Sequence, residues 1–341
     1  SNDNPVVTKK NTAKAAIDSA LRAKEAAIDA NDDLTTEEKN AAKADAQAKA
    51  NAAKTAIDNA TTNVAVDSAQ TAGTTSVSSV MPTAVAKPAA KKAIEDALKA
   101  KVAQLDARND LTTEEKEAAK ADAQARATAA KNNIDTATTN STVDNAKTTG
   151  VADVESVNPQ ASQKKTDAKN AVDEALKAKE AEIDANNDLT AEEKAQAKED
   201  AKAKADAAKT AIDKATTNDA VTQAKNDGAT SVDSVTPTPV AKPAAKKAID
   251  DALKAKEAAI NANNDLTDEE KAKAKQEAQD KAAAAKQAID NATTNAGVDQ
   301  AKANGTTEVN NVNPTPVAKP AAKKAIDDAL KAKNDAIDAN N

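Results

Sequence analysis

Apolar side chains along the 341 residues recur at helical spacing, in blocks separated by turn-forming residues. Ile249, Ala252, Leu253, Ala259 and Ile260 fall on one face at a period near 3.6 and predict a first helix over Pro243 to Asn263. Ala274, Ala278, Ala282, Ala285 and Ile289 predict a second, from about Asp268 to Ala292. Val298, Ala301, Gly305, Val309 and Val312 follow at spacings of 3, 4, 4 and 3 and predict a third that runs through the glycine. The alternative for this last segment is a glycine C-cap followed by a loop.

The same trio occurs four times. The leucines of DDLTTEEK, NDLTTEEK, NDLTAEEK and NDLTDEEK are Leu34, Leu111, Leu189 and Leu266, at steps of 77, 78 and 77. A fixed period of this length denotes an array of similar modules. Each octapeptide carries the chemistry of a helix start. Thr35, Thr112, Thr190 and Thr267 stand three residues before Glu38, Glu115, Glu193 and Glu270, the spacing of a capping box. The Asn/Asp run before each leucine ends the preceding helix. Pro82, Pro159, Pro237 and Pro314 mark the module ends. The expected division is therefore 1–81, 82–158, 159–236, 237–313 and a truncated fifth module, 314–341, that contains a first helix alone. The fold class this predicts is all-α, a tandem array of three-helix bundles forming an elongated, monomeric rod. Linkers such as NPTPVAKP should be extended, because proline fixes its own φ and restricts its neighbour. They favour separate beads, with the last helix left without a packing partner; the alternative is a joint shared by consecutive modules, on which its first turns dock at the end of the fourth bundle, near Val309 and Val312. NPQASQKK, which keeps only Pro159, should be the most flexible joint.

Within the helices, four alanine columns are alanine in every module, for example Ala42, Ala46, Ala50 and Ala53, so neighbouring helices can approach closely. Gly73, Gly150, Gly228 and Gly305 form a fixed column in the third segment, which also points to close packing. Asp45/Lys49, Asp122/Arg126, Asp200/Lys204 and Glu277/Lys281 are i,i+4 pairs on the outer face. Lys24, Lys101, Lys179, Lys256 and Lys333 lie near the apolar face of the first helices. They are expected to cover the small core with their stems; the other reading is an ion pair with a carboxylate of the second or third helix.

Composition narrows function. There is no Phe, Trp, Tyr, Cys or His, charged residues make up 30%, and the net charge is −7. Without His or Cys the usual bases and nucleophiles are missing, so no catalytic, cofactor-binding or metal-binding residue is expected and an enzyme is disfavoured. Interspersed charge and the lack of aromatics argue against nucleic acid. No apolar run is long enough to span a bilayer, so no membrane insertion is expected. Asp184, Asn186 and Asp188 imitate the start of a calcium loop, but Leu189 stands where that loop needs glycine and Ala195 where it needs glutamate. No signal peptide opens the chain, and Ser1–Pro5 has the look of a fragment start.

The run AKKAIDDALKAKEAAINANNDLT (Ala245–Thr267), with the EEK, AID, TTN, glycine and valine columns that follow it, resembles the domain-of-unknown-function family 1542. That resemblance covers four modules and the truncated fifth. It implies tandem arrays in cell-wall-anchored surface proteins of Gram-positive bacteria, including giant extracellular-matrix-binding proteins, and hence an extracellular location. No sorting motif is present to carry that location independently. The family brings no catalytic residues. Two roles follow. One is a structural stalk that projects a distal binding domain. The alternative is a repeated low-affinity module for host extracellular-matrix or plasma proteins, or for self-association between cells.

Overall fold

The computed structural model describes residues 5–340, so most of the expected fragment start, Ser1 to Asn4, lies outside the described residues. Thirteen helices and no strand occur among the described residues, and the fold is all-α. The chain divides into two compact units. One is Ser1–Gln163 with Thr216–Asn218; the other is Lys164–Ala215 with Asp219–Asn341.

The first unit contains α1 (Pro5–Asp29), α2 (Thr36–Asn59) and α3 (Asn63–Ser78), each packed on the other two. It also contains α4 (Ala86–Asp106), α5 (Thr113–Thr136) and α6 (Asn140–Glu155), packed in the same way. The first trio closes over Ala13, Ile17, Leu21, Ile28, the alanines of α2, Ile57, Val66 and Val77. The second unit carries α7 (Gln163–Asp184), α8 (Ala191–Lys214) and α9 (Asn218–Asp233), which share a core of Val172, Ala205, Ala208, Ile212, Val221 and Val232. In the same unit α10 (Ala241–Asn261), α11 (Asp268–Asn291) and α12 (Asn295–Asn310) form a further trio, and α13 (Ala318–Asp338) follows.

The alanine columns are buried as their spacing predicts: Ala46, Ala50, Ala123, Ala127, Ala201 and Ala205 expose nothing to solvent. The glycine column lies inside helices α3, α6, α9 and α12, so the C-cap alternative is excluded. Its reason is steric. A Cβ on Gly73 would stand 2.5 Å from Ala53 Cβ and 2.7 Å from Ile17 Cδ1. Glycine thus gives up helix propensity so that α3 can lie against both other helices.

Four expectations need correction. The first helices start earlier than the proline: Pro88, Pro243 and Pro320 occupy the third helical position. A first-turn amide has no intrahelical acceptor, so proline fits there equally well. The last valines of the third segment (Val80, Val157, Val235, Val312) lie beyond the helix ends, although Val80, Val157 and Val312 remain buried. Leu98, Leu176 and Leu253 are only half-buried, whereas Leu34, Leu111, Leu189 and Leu266, read above as turn markers, are 2–3% exposed and belong to the core. Of the outer i,i+4 pairs, Lys49–Asp45 and Arg126–Asp122 form, while Asp200 takes the Gln196 amide and Lys281 pairs with Glu308 of α12.

A different charge column fixes how first and second helices lie together. Lys54–Asp18, Lys131–Glu95, Lys209–Asp173 and Lys286–Asp250 cross from one helix to the next in every trio. Being largely exposed, these pairs select register more than they add stability. The lysine column behaves as stems over the core in the second and third trios, whereas Lys333 of α13 is exposed. Lys101 and Lys179 are buried, and their ammonium groups bond Gln104 and Glu182 of their own helix; Lys256 reaches Asn313 in the linker.

Two outcomes follow for denaturation of the whole chain. Gly305→Ala should destabilise its trio by about 1–3 kcal/mol despite alanine's better helix propensity, because the added methyl meets Ala285 and Ile249. Ile249→Ala should cost about 2–5 kcal/mol, and the half-buried Leu253→Ala clearly less.

Candidate functional site

The residues that do the most per position are those of the repeated octapeptide. Asn186 Oδ1 accepts the Asp188 N–H at 3.1 Å, and Asn31 and Asn263 do the same for Asp33 and Asp265, which makes an Asx turn after the first helix. The threonine then caps the second helix. Thr35 Oγ1 accepts from Glu38 N–H, and Glu38 Oε1 accepts from Thr35 N–H at 2.9 Å. All four capping boxes predicted from sequence are formed. The lysine that ends the motif turns back: Lys39, Lys116, Lys194 and Lys271 donate to the carbonyls of Asp29, Asp106, Asp184 and Asn261 at the end of the first helix. A cation there opposes the negative end of the helix dipole.

The same motif also holds the next repeat, and this the sequence reading missed. In the first unit the second oxygen of Glu38 accepts the N–H groups of Val85 and Ala86, at 2.9 and 3.2 Å, where α4 begins. Glu37 Oε2 accepts the Asn140 N–H at 2.9 Å, and Thr36 N–H donates to Thr138 O at 2.8 Å, both in the turn between α5 and α6. Lys87, 4% exposed, sends its ammonium to two carbonyls, Asp32 in the preceding turn and Asp135 at the end of α5, each at 2.7 Å. In the second unit the arrangement recurs. Glu193 accepts from Val240 and Ala241, Glu192 from Asn295, and Ala191 N–H donates to Thr293 O. Lys242 bonds Asn187 O and Asp290 O. At the start of α13, Glu270 accepts from Val317 and Ala318 and Lys319 donates to Asn264 O.

These bonds overturn the bead expectation: within each unit consecutive repeats are joined by hydrogen bonds and not by linker alone. They also place the last helix. It attaches by its first turn to the preceding repeat's turn, whose Leu266 packs in one cluster with Val312, while Ile326, Leu330 and Ile337 stay 68, 59 and 58% exposed. A signal was present in the sequence. Lys10, Lys87, Lys165, Lys242 and Lys319 form a column at steps of 77, 78, 77 and 77, immediately before or near the linker's last proline.

The calcium-like residues are engaged otherwise. Asp184 pairs with Lys198 and Asn186 closes the turn. In the second repeat Arg108 forms a bidentate pair with Asp110 and reaches Pro159 O at 3.1 Å. Among the described residues no group of three His, Cys, Asp or Glu side chains is arranged to hold a metal ion, and no helix is long and apolar enough to cross a membrane.

Four consecutive stretches, 9–85, 86–162, 164–240 and 241–317, match the model of the Domain of Unknown Function (DUF1542). The chain belongs to this family. Among curated proteins it is similar to the "Extracellular matrix-binding protein EbhA" of Staphylococcus aureus strain Mu3, at 31% identity over 244 residues, which is 71% of this chain and 4% of that relative. It is similar to the same extent to the "Extracellular matrix-binding protein ebh" of strain JH9, of which it spans 2%. The chain therefore covers a small fraction of these relatives' length. No solved structure matches it. The matched stretches begin where α4 and α10 begin, so the family's repeat unit meets its neighbour at the Glu38 and Glu193 contacts.

The joint carboxylates give a pH dependence. Burial works against the charge of Glu38 and Glu193, but the N–H bonds from Thr35, Val85 and Ala86, and from Thr190, Val240 and Ala241, outweigh it and hold both below the ordinary glutamate value of 4.5. Glu37 and Glu192 are lowered by the Asn140 and Asn295 N–H groups. A carboxyl lowered in the folded state contributes stability that is present above its unfolded pKa and is lost as pH falls through the folded one. Thermal melting should therefore be flat down to about pH 5 and fall below it, and a chain with glutamine at positions 38 and 193 should lose less over the same acid range.

Proposed function

We propose that the array is a non-catalytic structural stalk of a bacterial surface adhesin, projecting a distal binding domain from the cell wall. The observation that carries this reading is the joint. A tether needs no hydrogen bonds between repeats, whereas Glu38, Glu37 and Lys87 tie two turns of one repeat to one turn of the one before. A joint of that kind serves a spacer whose reach must not collapse, and repeats divided at the linker prolines (1–81, 82–158, 159–236, 237–313, with a first helix at 314–341) would then add length one at a time. The make-up of the surface agrees with it. Interface anchors are typically Trp, Tyr and Arg, and this chain has no aromatic residue. An extracellular, wall-anchored location follows on this reading from the kinship with staphylococcal proteins named for matrix binding.

That printed name favours a second reading, in which the repeats themselves bind host matrix or plasma proteins weakly and gain strength from number. Two measurements on the purified chain separate them. Solution scattering should give an elongated monomer, and pull-down from plasma and matrix preparations should recover no partner. A compact particle would refute the stalk, and saturable capture of one matrix protein, scaling with repeat number, would establish the binder.

A further inference from the structure

Three first helices, α4, α10 and α13, do not cap themselves. The residues before α4, α10 and α13 are Val85, Val240 and Val317, all near φ −124° and ψ −50°, and none provides a side-chain cap. Valine has no oxygen with which to accept an N–H, and at this position it ranks among the poorest choices. The missing acceptor comes from the preceding repeat, since Glu38, Glu193 and Glu270 each offer Oε2 to the first two N–H groups. In each case the other oxygen is already engaged by the threonine of its own capping box. One carboxylate therefore starts two helices, its own and the next repeat's.

We propose that this contact is a latch: Glu38, Glu193 and Glu270 of a folded repeat supply the start signal for the first helix of the repeat that follows, from a capping box that is complete without that helix. The donor side is complete beforehand, because the capping box, the Asx turn and the buried leucine belong to the donor repeat alone. The receiving side supplies only main-chain N–H groups and one lysine. The decisive case is α13. Its apolar face has no second or third helix to meet, yet Val317, Ala318 and Lys319 make the same three bonds as Val240, Ala241 and Lys242. The latch thus needs no second or third helix on the receiving side. Most helical stability in proteins comes from packing of an apolar face, and α13 buries none of its residues, so the ordering of its first turns depends on Glu270. This inference stands on the joint geometry and holds whether the array is a stalk or a binder.

Amide hydrogen exchange on the whole chain tests it. Glu270→Ala removes the shared carboxylate but leaves Thr267 to cap α11. Exchange at 317–325 should rise about five- to tenfold, the scale of a lost N-cap, while 274–289 is unchanged. Glu269→Ala, one position back, should leave 317–325 as in the parent. Glu193→Ala should free the Val240 and Ala241 amides but not the rest of α10, which its own bundle holds. Parent-like exchange at 317–325 in Glu270→Ala would overturn the latch.

Discussion

A glutamate carboxylate with two helices to start is the constraint on which the rest of this architecture depends. Glu38 divides its oxygens between Thr35 N–H on one side and Val85 and Ala86 N–H on the other. Glutamine satisfies a capping box as well as glutamate does, so the box alone does not explain why Glu38, Glu193 and Glu270 are all glutamate. The joint does. A glutamine has a single acceptor oxygen, and its NH2 group would face either the box donor or the two linker donors. Charge on the acceptor also strengthens every bond it makes. The octapeptide is thus a turn, a cap and a coupling in one stretch, and the repeat period measures the distance from one coupling to the next.

The core of each repeat is compatible with that joint because it is built from small residues. With no aromatic side chain, close approach of the helices replaces bulk. Alanines line the second helix, and a glycine in the third lets its backbone rest on Ala53 and Ile17, or on Ala130 and Ile94. In the third repeat Val172 takes the isoleucine's place, and its nearest methyl would be 3.6 Å from a Cβ on Gly228, so only the alanine still enforces glycine there.

Much of this was legible in the sequence, and the reason is locality. Capping boxes, alanine columns and the helical glycine are all encoded within one element or one turn, where spacing alone reports geometry. The joint was not legible because its receiving half carries almost no side-chain signal. Val85, Ala86 and Asn140 take part through their main-chain N–H groups, which every residue but proline has. The linker prolines therefore suggested independent beads, when their true message is where they are absent. Leu253 was overrated and Leu266 underrated for a related reason. Periodicity ranks positions along a helix, but it says nothing about a turn residue that folds back over the end of the core.

A coupling read through the main chain has a consequence for divergence. The donor repeat must keep its glutamate, and the recipient must keep the lysine that spans Asp32 O and Asp135 O, or Asn187 O and Asp290 O. Beyond these, the recipient needs only to keep proline out of two positions. The linkers obey this: Pro82 and Pro88 flank Val85 and Ala86, Pro239 and Pro243 flank Val240 and Ala241, and Pro316 and Pro320 flank Val317 and Ala318. In each linker the donor pair stands free between prolines that restrict the backbone on both sides. Surface residues elsewhere can change without disturbing the joint.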